Sequence, residues 1–338
     1  IATGGRPTIP PIPGLVATDP LTSETVFELD AMPARLAVIG GGPIGCELAQ
    51  AFARFGAAVT LVEHGERLLA NDDPDAAAVV AASLLRDGVG LQLGTEVVGV
   101  EASAGAGRLT FRQQGEHRTI DADAILVAVG RMPSVADLGL EAAGVAFDER
   151  GVTVDDRLRT TNGRIYAAGD VSGGLQFTHV ADAQARVVLR NALFAGRQRA
   201  SSLTIPWCTY TDPEVAHVGH TAATASAAGL EVETFTHHLG DVDRAVLDGE
   251  TDGFARVHLR KGSEQIVGAT VVAAHGGEMI SQMVLAMTAG VGLGAVARTI
   301  HPYPTQAEVW KRLADAHQRA RLTPRVAGFL RQWLALRR

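Results

Sequence analysis

Three glycines at one spacing, Gly40, Gly42 and Gly45, suit a loop that carries a phosphate. In such a loop Gly40 makes the tight turn and Gly42 lets the backbone approach a pyrophosphate. Gly45 lets the following helix lie close on the preceding strand. Pro43 and Ile44 fall between them, in the loop that leads into that helix. Unpaired N–H groups and the positive end of the helix dipole attract anionic groups at that point. Glu63 closes the next apolar run. Its carboxylate can accept from the hydroxyls of an adenosine ribose, which favours NAD over NADP. His64 and Arg67 lie beside it and are the residues that would tolerate a 2′-phosphate. Cys46 follows the loop directly and is expected to pack, although a helix N-terminus also lowers a thiol pKa.

These residues need a strand, a helix and a second strand to hold them. Arg35 to Ile39 is a short apolar run, as expected of a buried parallel strand. A helical pattern runs from Cys46 to Phe55 and stops at Gly56, and a second apolar strand spans Ala58 to Val62. Together they make one βαβ unit. A short helix is expected over Ser23–Asp30 with Thr22 or Ser23 as its cap. A longer one starts at Asp73-Pro74 and ends at Asp87-Gly88. Strands are expected at Gly90–Leu93, Glu96–Glu101, Arg108–Gln113, Ala124–Val129 and Arg164–Ala168, with a glycine-rich turn at Ala104–Gly107. Beyond a helix at Ala181–Ala195 the character changes. Phe254–Leu259 and Gln265–Val272 read as an antiparallel pair, followed by helices near Glu278–Ala289 and Thr305–Arg319. Residues 324–338 are basic and amphipathic.

Bulk properties exclude several classes. The 338 residues carry a net charge of −7, from 30 basic and 37 acidic side chains, which argues against a nucleic-acid surface. No long apolar run suggests a membrane span. The two cysteines, Cys46 and Cys208, fit a reducing cytoplasm rather than a disulfide scaffold. No set of histidines or cysteines has a convincing metal-ligand spacing. The chain opens on Ile1 inside what reads as a strand end, which suggests a fragment.

Further segments carry a family resemblance. Ala2-Thr3-Gly4-Gly5-Arg6-Pro7 and Ala128-Val129-Gly130-Arg131-Met132-Pro133 resemble the paired segments that bracket the nicotinamide domain of pyridine nucleotide–disulfide oxidoreductases. Ile165 to Asp170 resembles that family's second flavin motif, and Phe177 to Ala181 resembles the helix start facing the flavin pyrimidine. Ile205 to Ala216 resembles the start of its dimerisation domain. The resemblance implies an α/β Rossmann-type nicotinamide domain, part of an FAD domain and a C-terminal α+β dimerisation domain. The expected divisions are a remnant and linker at 1–20, the nicotinamide domain at 21–130, FAD-domain chain at 131–202, the dimerisation domain at 203–323 and the tail at 324–338. It also implies that Gly130, Asp170, His179, Val180 and Ala181 contact cofactor, with Asp170 on the ribityl chain. Glu47 takes the family position beside the nicotinamide carboxamide.

Two departures shape the functional expectation. The family begins with its own FAD-binding βαβ unit and a Cys-x-x-x-x-Cys helix, and neither is present in these residues. The chain alone is therefore expected to bind FAD poorly and to be inactive. In His301-Pro302-Tyr303-Pro304-Thr305-Gln306-Ala307-Glu308, disulfide-reducing members carry histidine where this chain has Tyr303, while Glu308 keeps the glutamate. A phenol with a pKa near 10 is a poor proton donor to a thiolate at neutrality. Mercuric reductases resemble this chain in having tyrosine there, but they also carry a C-terminal cysteine pair that the tail lacks.

The reading that results is a cytoplasmic homodimeric oxidoreductase, mercuric reductase- or dihydrolipoamide dehydrogenase-like, using FAD and NAD(P). It would pass electrons from NAD(P)H to a metal ion or disulfide, with Tyr303 and Glu308 at the active site. The competing readings are a non-catalytic NAD-binding and dimerisation fragment and a flavin-only quinone reductase. The tail helix is expected to pack on protein rather than on a membrane.

Overall fold

The computed structural model describes residues 1–103, 106–322 and 324–337. The chain divides into two compact units, Ile1–Ile205 and Pro206–Arg338.

The first unit contains strands β1 (Gly5–Pro7), β2 (Arg35–Ile39), β3 (Ala58–Val62), β4 (Gly90–Gln92), β5 (Thr95–Ser103), β6 (Ala106–Gln113), β7 (Glu116–Ala122), β8 (Ala124–Val127), β9 (Arg131–Pro133), β10 (Phe147–Asp148) and β11 (Gly151–Val152). Its helices are α1 (Pro43–Arg54), α2 (Pro74–Arg86) and α3 (Thr178–Leu193). A four-stranded parallel sheet has the order β4-β3-β2-β8. Leu36, Ala37, Val38 and Ile39 on its β2 strand are all buried, as a strand covered on both faces requires. Antiparallel β5-β6-β7 forms a separate sheet. Leu15, Ile39, Leu109 and Ile125 belong to one apolar cluster that links the two sheets. Strands β1 and β9 pair antiparallel, Gly5 opposite Pro133 and Arg6 opposite Met132. This ladder brings together the two glycine-containing segments that are 126 residues apart where Arg131 reaches Gly5.

Three local expectations change. Residues 23–30 do not form a helix; only Val26–Glu28 makes a single 3₁₀ turn. The Thr22 hydroxyl still accepts from the Glu24 and Thr25 amides, as an N-cap would. With Phe27 and Leu29 exposed, the segment has no apolar stripe to pack, and a short helix without packing is marginal. No strand forms over residues 164–168, which begin in a turn and join no ladder; Tyr166 makes an isolated bridge with Arg159, and its carbonyl accepts from the Ile1 amino group at 2.6 Å. Strand β7 was hidden because its residues are mostly polar and exposed. The expected glycine-rich turn at 104–107 falls partly outside the described residues.

The second unit contains β12 (Pro206–Thr209), β13 (Glu214–Gly219), α4 (Ala222–Ala227), β14 (Val232–His238), α5 (Asp243–Asp248), β15 (Phe254–Arg260), β16 (Ile266–Ala273), α6 (Gly276–Thr288), α7 (Leu293–Arg298), α8 (Val309–Ala320) and α9 (Pro324–Ala335). Its five-stranded antiparallel sheet has the order β12-β13-β16-β15-β14. Every residue of β16 is buried, so it reads as a continuous apolar strand in the middle of the sheet. Helices α6 and α8 cover that core through Met279, Met283, Trp310 and Leu313. The Trp310 indole N–H donates to the Met279 carbonyl at 3.1 Å, so the largest buried side chain also ties the two helices together.

Candidate functional site

The first site is the junction of β2, α1 and β3. Gly40 has φ +109°, and its N–H donates to the Val62 carbonyl at 2.8 Å. A Cβ there would lie 2.5 Å from the Ala128 carbonyl oxygen, so conformation and space both require glycine. A Cβ at Gly45 would lie 1.9 Å from the Gly40 carbonyl oxygen, so α1 can approach the loop only as glycine. Gly42 is different. It has ordinary backbone angles (φ −75°), and no atom lies within 4 Å of where its Cβ would be. The space above Gly42 is therefore open, at the N-terminus of a helix whose first turn holds Pro43, Ile44 and Gly45. Helix geometry leaves the first-turn amides without intrahelical acceptors. That is the form of a cradle for a pyrophosphate.

Glu63 sits at the edge of this cradle with both carboxylate oxygens engaged. Oε2 accepts from the Gly41 N–H and Oε1 from the Gly65 N–H, each at 2.6 Å. Each oxygen keeps a second lone pair, so the carboxylate can still receive ribose hydroxyls while it fixes the loop. Arg67 turns away from this role, since its guanidinium donates to the Leu69 and Ala70 carbonyls of its own loop. Glu47 lies half-buried on the second turn of α1, one turn in from the N-terminus. Cys46 is fully buried, and its thiol donates to the Gly41 carbonyl. Burial, with the nearby Glu47, Glu63 and Asp72 charges, pushes that thiol up to about 12. Here burial outweighs the helix dipole, and Cys46 is a packing residue.

The second group lies around the β1–β9 ladder. Gly169 has φ +80°, its N–H donates to Gln184 Oε1 at 2.7 Å, and Asp170 opens the 3₁₀ turn Asp170–Ser172. Asp170 Oδ2 lies 3.6 Å from Arg131 Nε, while Arg131 also reaches the Gly5 carbonyl and Glu24. The ladder thus places a carboxylate and a guanidinium side by side at the end of the 164–168 segment. Gly130, with φ +125°, turns the chain into β9. At the start of α3 the Val180 and Ala181 amides both donate to the Phe177 carbonyl at 3.0 Å, so neither amide is aimed outward. Ala181 packs its methyl against Gly169 instead, where a Cβ would meet it at 3.2 Å. His179 is exposed and stacks on Phe177. An aspartate acceptor with an adjacent cation fits one end of a flavin better than its whole length.

In the second unit Tyr303 and Glu308 each take a different partner. The Tyr303 hydroxyl donates to Asp243 Oδ2 at 2.8 Å. Arg312 bridges outward from there: one arm lies 3.6 Å from Asp243 Oδ1, Nε lies 3.3 Å from Glu308 Oε1, and Nη1 donates to the Asp241 carbonyl at 2.8 Å. Glu308 Oε2 is buried without a partner. The hydrogen bond to Asp243, and then the Asp243 charge, hold the Tyr303 phenol above its ordinary range. Asp243 is 60 residues from Tyr303 in the chain, and no motif announces it. His301 is taken up elsewhere, its ring between the Thr299 carbonyl and Gln282. A cleft of about 640 Å³ opens beside Glu308 and Arg312, with His237 on its wall. Burial, then Arg312, holds the His237 imidazole below its usual range. His217 is fully buried, with its ring between the Thr270 hydroxyl and the Gly219 carbonyl. Among the described residues no cluster of three or more His, Cys, Asp or Glu could hold a metal ion, and no helix is long and apolar enough to cross a membrane.

Comparison with known proteins agrees with this layout. Residues 1–185 match the pyridine nucleotide-disulphide oxidoreductase family, and residues 205–314 match its dimerisation domain. Mercuric reductase from Bacillus cereus is 39% identical over 309 residues, 91% of this chain and 49% of that protein. Dihydrolipoyl dehydrogenase from Bacillus subtilis is 33% identical over 93% of this chain and 67% of that protein. The chain thus spans about half the length of some curated relatives and two thirds of others. Among solved structures, a Cu(II) complex of the HOCl-induced flavoprotein disulfide reductase RclA from Escherichia coli superposes with a TM-score of 0.85. It is 31% identical and matches over 93% of this chain and 72% of that one. Members of the family use FAD and NAD(P)H. The chain belongs to the pyridine nucleotide–disulfide oxidoreductase family, in its mercuric reductase- and dihydrolipoamide dehydrogenase-like group.

Proposed function

We propose that the protein works as an FAD- and NAD(P)H-dependent oxidoreductase that passes electrons from a reduced nicotinamide to a disulfide or a metal ion, as a homodimer in the cytoplasm. The observation that carries this is the open space over Gly42, set at a helix N-terminus with the Glu63 carboxylate beside it. Those residues would bind and orient the nicotinamide dinucleotide. NAD is the preferred form, because Glu63 would repel a 2′-phosphate and Arg67 is spent on its own loop. Asp170 would take the ribityl hydroxyls of a flavin, with Arg131 beside it. When bound, FAD supplies the redox step between nicotinamide and acceptor.

The second unit would supply Tyr303 and Glu308 to the acceptor side. The match of residues 205–314 to the family's dimerisation domain supports association through this unit. The test is anaerobic addition of NADH to the flavin-loaded full-length protein. Bleaching of the flavin that is lost in Gly42→Ala is the expected result, and flavin that stays oxidised refutes the reading.

A further inference from the structure

We propose that Asp243 and Arg312 are positioning residues which fix Tyr303 with its hydroxyl proton turned inward, so that the phenol presents an oxygen lone pair rather than a proton to whatever meets it. This rests on the reading of Tyr303 as an active-site group.

The observation is the route of the hydrogen bonds. The Tyr303 ring is largely exposed, yet its one hydroxyl proton is committed to Asp243 Oδ2 at 2.8 Å. A phenol has one donor, so the exposed side of the oxygen carries only acceptor character while that bond is made. Asp243 begins the short helix α5, and its carboxylate is held in turn by Arg312 from α8. Arg312 is itself anchored on the Asp241 carbonyl and on Glu308, the residue from which α8 departs. Around it, Gln306 Nε2 donates to Asp248 Oδ2 at 3.4 Å and to Glu250 at 2.6 Å, which ties the end of α5 to the 306–308 turn. The groups facing the phenol are thus Asp243 and Glu308, which oppose its ionisation, and Arg312, which favours it.

A proton donor cannot serve with its proton already given away. In this arrangement Tyr303 is suited to accept from an S–H group or to approach a cation, and unsuited to protonate a leaving thiolate. The sequence motif alone pairs Tyr303 with Glu308; in the structure the two are linked through Asp243 and Arg312.

The arrangement is tested by titrating tyrosinate absorbance in the 338-residue chain. Only three tyrosines contribute, Tyr166, Tyr210 and Tyr303, so the Tyr303→Phe variant isolates the Tyr303 step by difference. Asp243→Asn is expected to move that step to lower pH, and Arg312→Gln to move it to higher pH. Opposite shifts separate positioning from general loosening, which would move both variants toward the ordinary phenol value. If Asp243→Asn fails to fold, the upward shift in Arg312→Gln decides alone. An unmoved Tyr303 step overturns the positioning role. Full turnover by Tyr303→Phe in the flavin-loaded full-length protein overturns the active-site reading of Tyr303, and the positioning role with it.

Discussion

The Gly41 amide donates to the Glu63 carboxylate at 2.6 Å, so the acidic residue that ends β3 also holds the glycine loop that follows β2. One carboxylate therefore has two tasks: it shapes the cradle and offers lone pairs to a ribose. Glu63→Gln keeps the size but places an amide N–H₂ against one of two backbone N–H groups. NADH binding is expected to weaken about tenfold, the ~1.4 kcal/mol scale of one lost charge-assisted bond. NADPH binding should weaken less, because the repulsion of a 2′-phosphate is relieved. Calorimetric Kd values for both nucleotides check this, and an equal loss for the two contradicts it.

Gly45 and Gly42 should respond oppositely to the same added methyl group. Gly45→Ala places a Cβ 1.9 Å from the Gly40 carbonyl, and overpacking of this kind costs about 1–3 kcal/mol. Its thermal midpoint should fall by several degrees. Gly42→Ala meets no atom and keeps an allowed φ of −75°, so its midpoint should hold or rise slightly. Circular dichroism melts of the two variants side by side decide the point.

Cys46 should be inert in the folded chain. Its thiol is buried and pushed up to about 12, from an ordinary value of 9.0. A group that ionises more easily when unfolded favours the unfolded state as pH rises. Stability is therefore expected to decline above about pH 9, by at most ~1.4 kcal/mol per pH unit from this group, until the folded thiol itself titrates near 12. Cys46→Ala should flatten that slope in denaturant titrations at pH 8 and pH 10. A thiol reagent at pH 8 should leave Cys46 unmodified until denaturant is added.

Asp170 lies 3.6 Å from Arg131 at the β1–β9 ladder, and both would face a flavin's ribityl end. Asp170→Asn should lower the flavin retained by the full-length protein, with little change in its NADH affinity. Flavin absorbance per mole of purified protein measures the first, and calorimetry the second. Undiminished flavin content would remove Asp170 from the site.

Much of the fold was legible because its signals are local. The apolar run at Arg35–Ile39, the glycine spacing and the acidic residue after Val62 each follow from what a buried parallel strand and a phosphate loop require. The cap at Asp73, whose side chain accepts from the Asp75 amide, was equally plain. Residues 23–30 misled because capping and turn residues suggest a helix even where no apolar face is available to pack. Strand β7 was missed because an exposed polar strand is defined by its partner β6 rather than by its own pattern. At the candidate sites the glycines and Glu63 were legible, whereas the second role of Glu63 was not, since it depends on loop closure at Gly41 and Gly65. Asp243 was invisible for the same reason: only the packing of α5 beside the 306–308 turn brings it to Tyr303.

Gly40 to Glu63 is expected to form a working nicotinamide-dinucleotide site. Calorimetric titration of NADH into the 338-residue chain and into Gly42→Ala tests it most directly. The expected result is saturable binding by the unmodified chain, tighter for NADH than for NADPH, and its loss in a Gly42→Ala variant that melts no lower than the parent. Absence of saturable binding by the folded parent, or equal binding by Gly42→Ala, would contradict it.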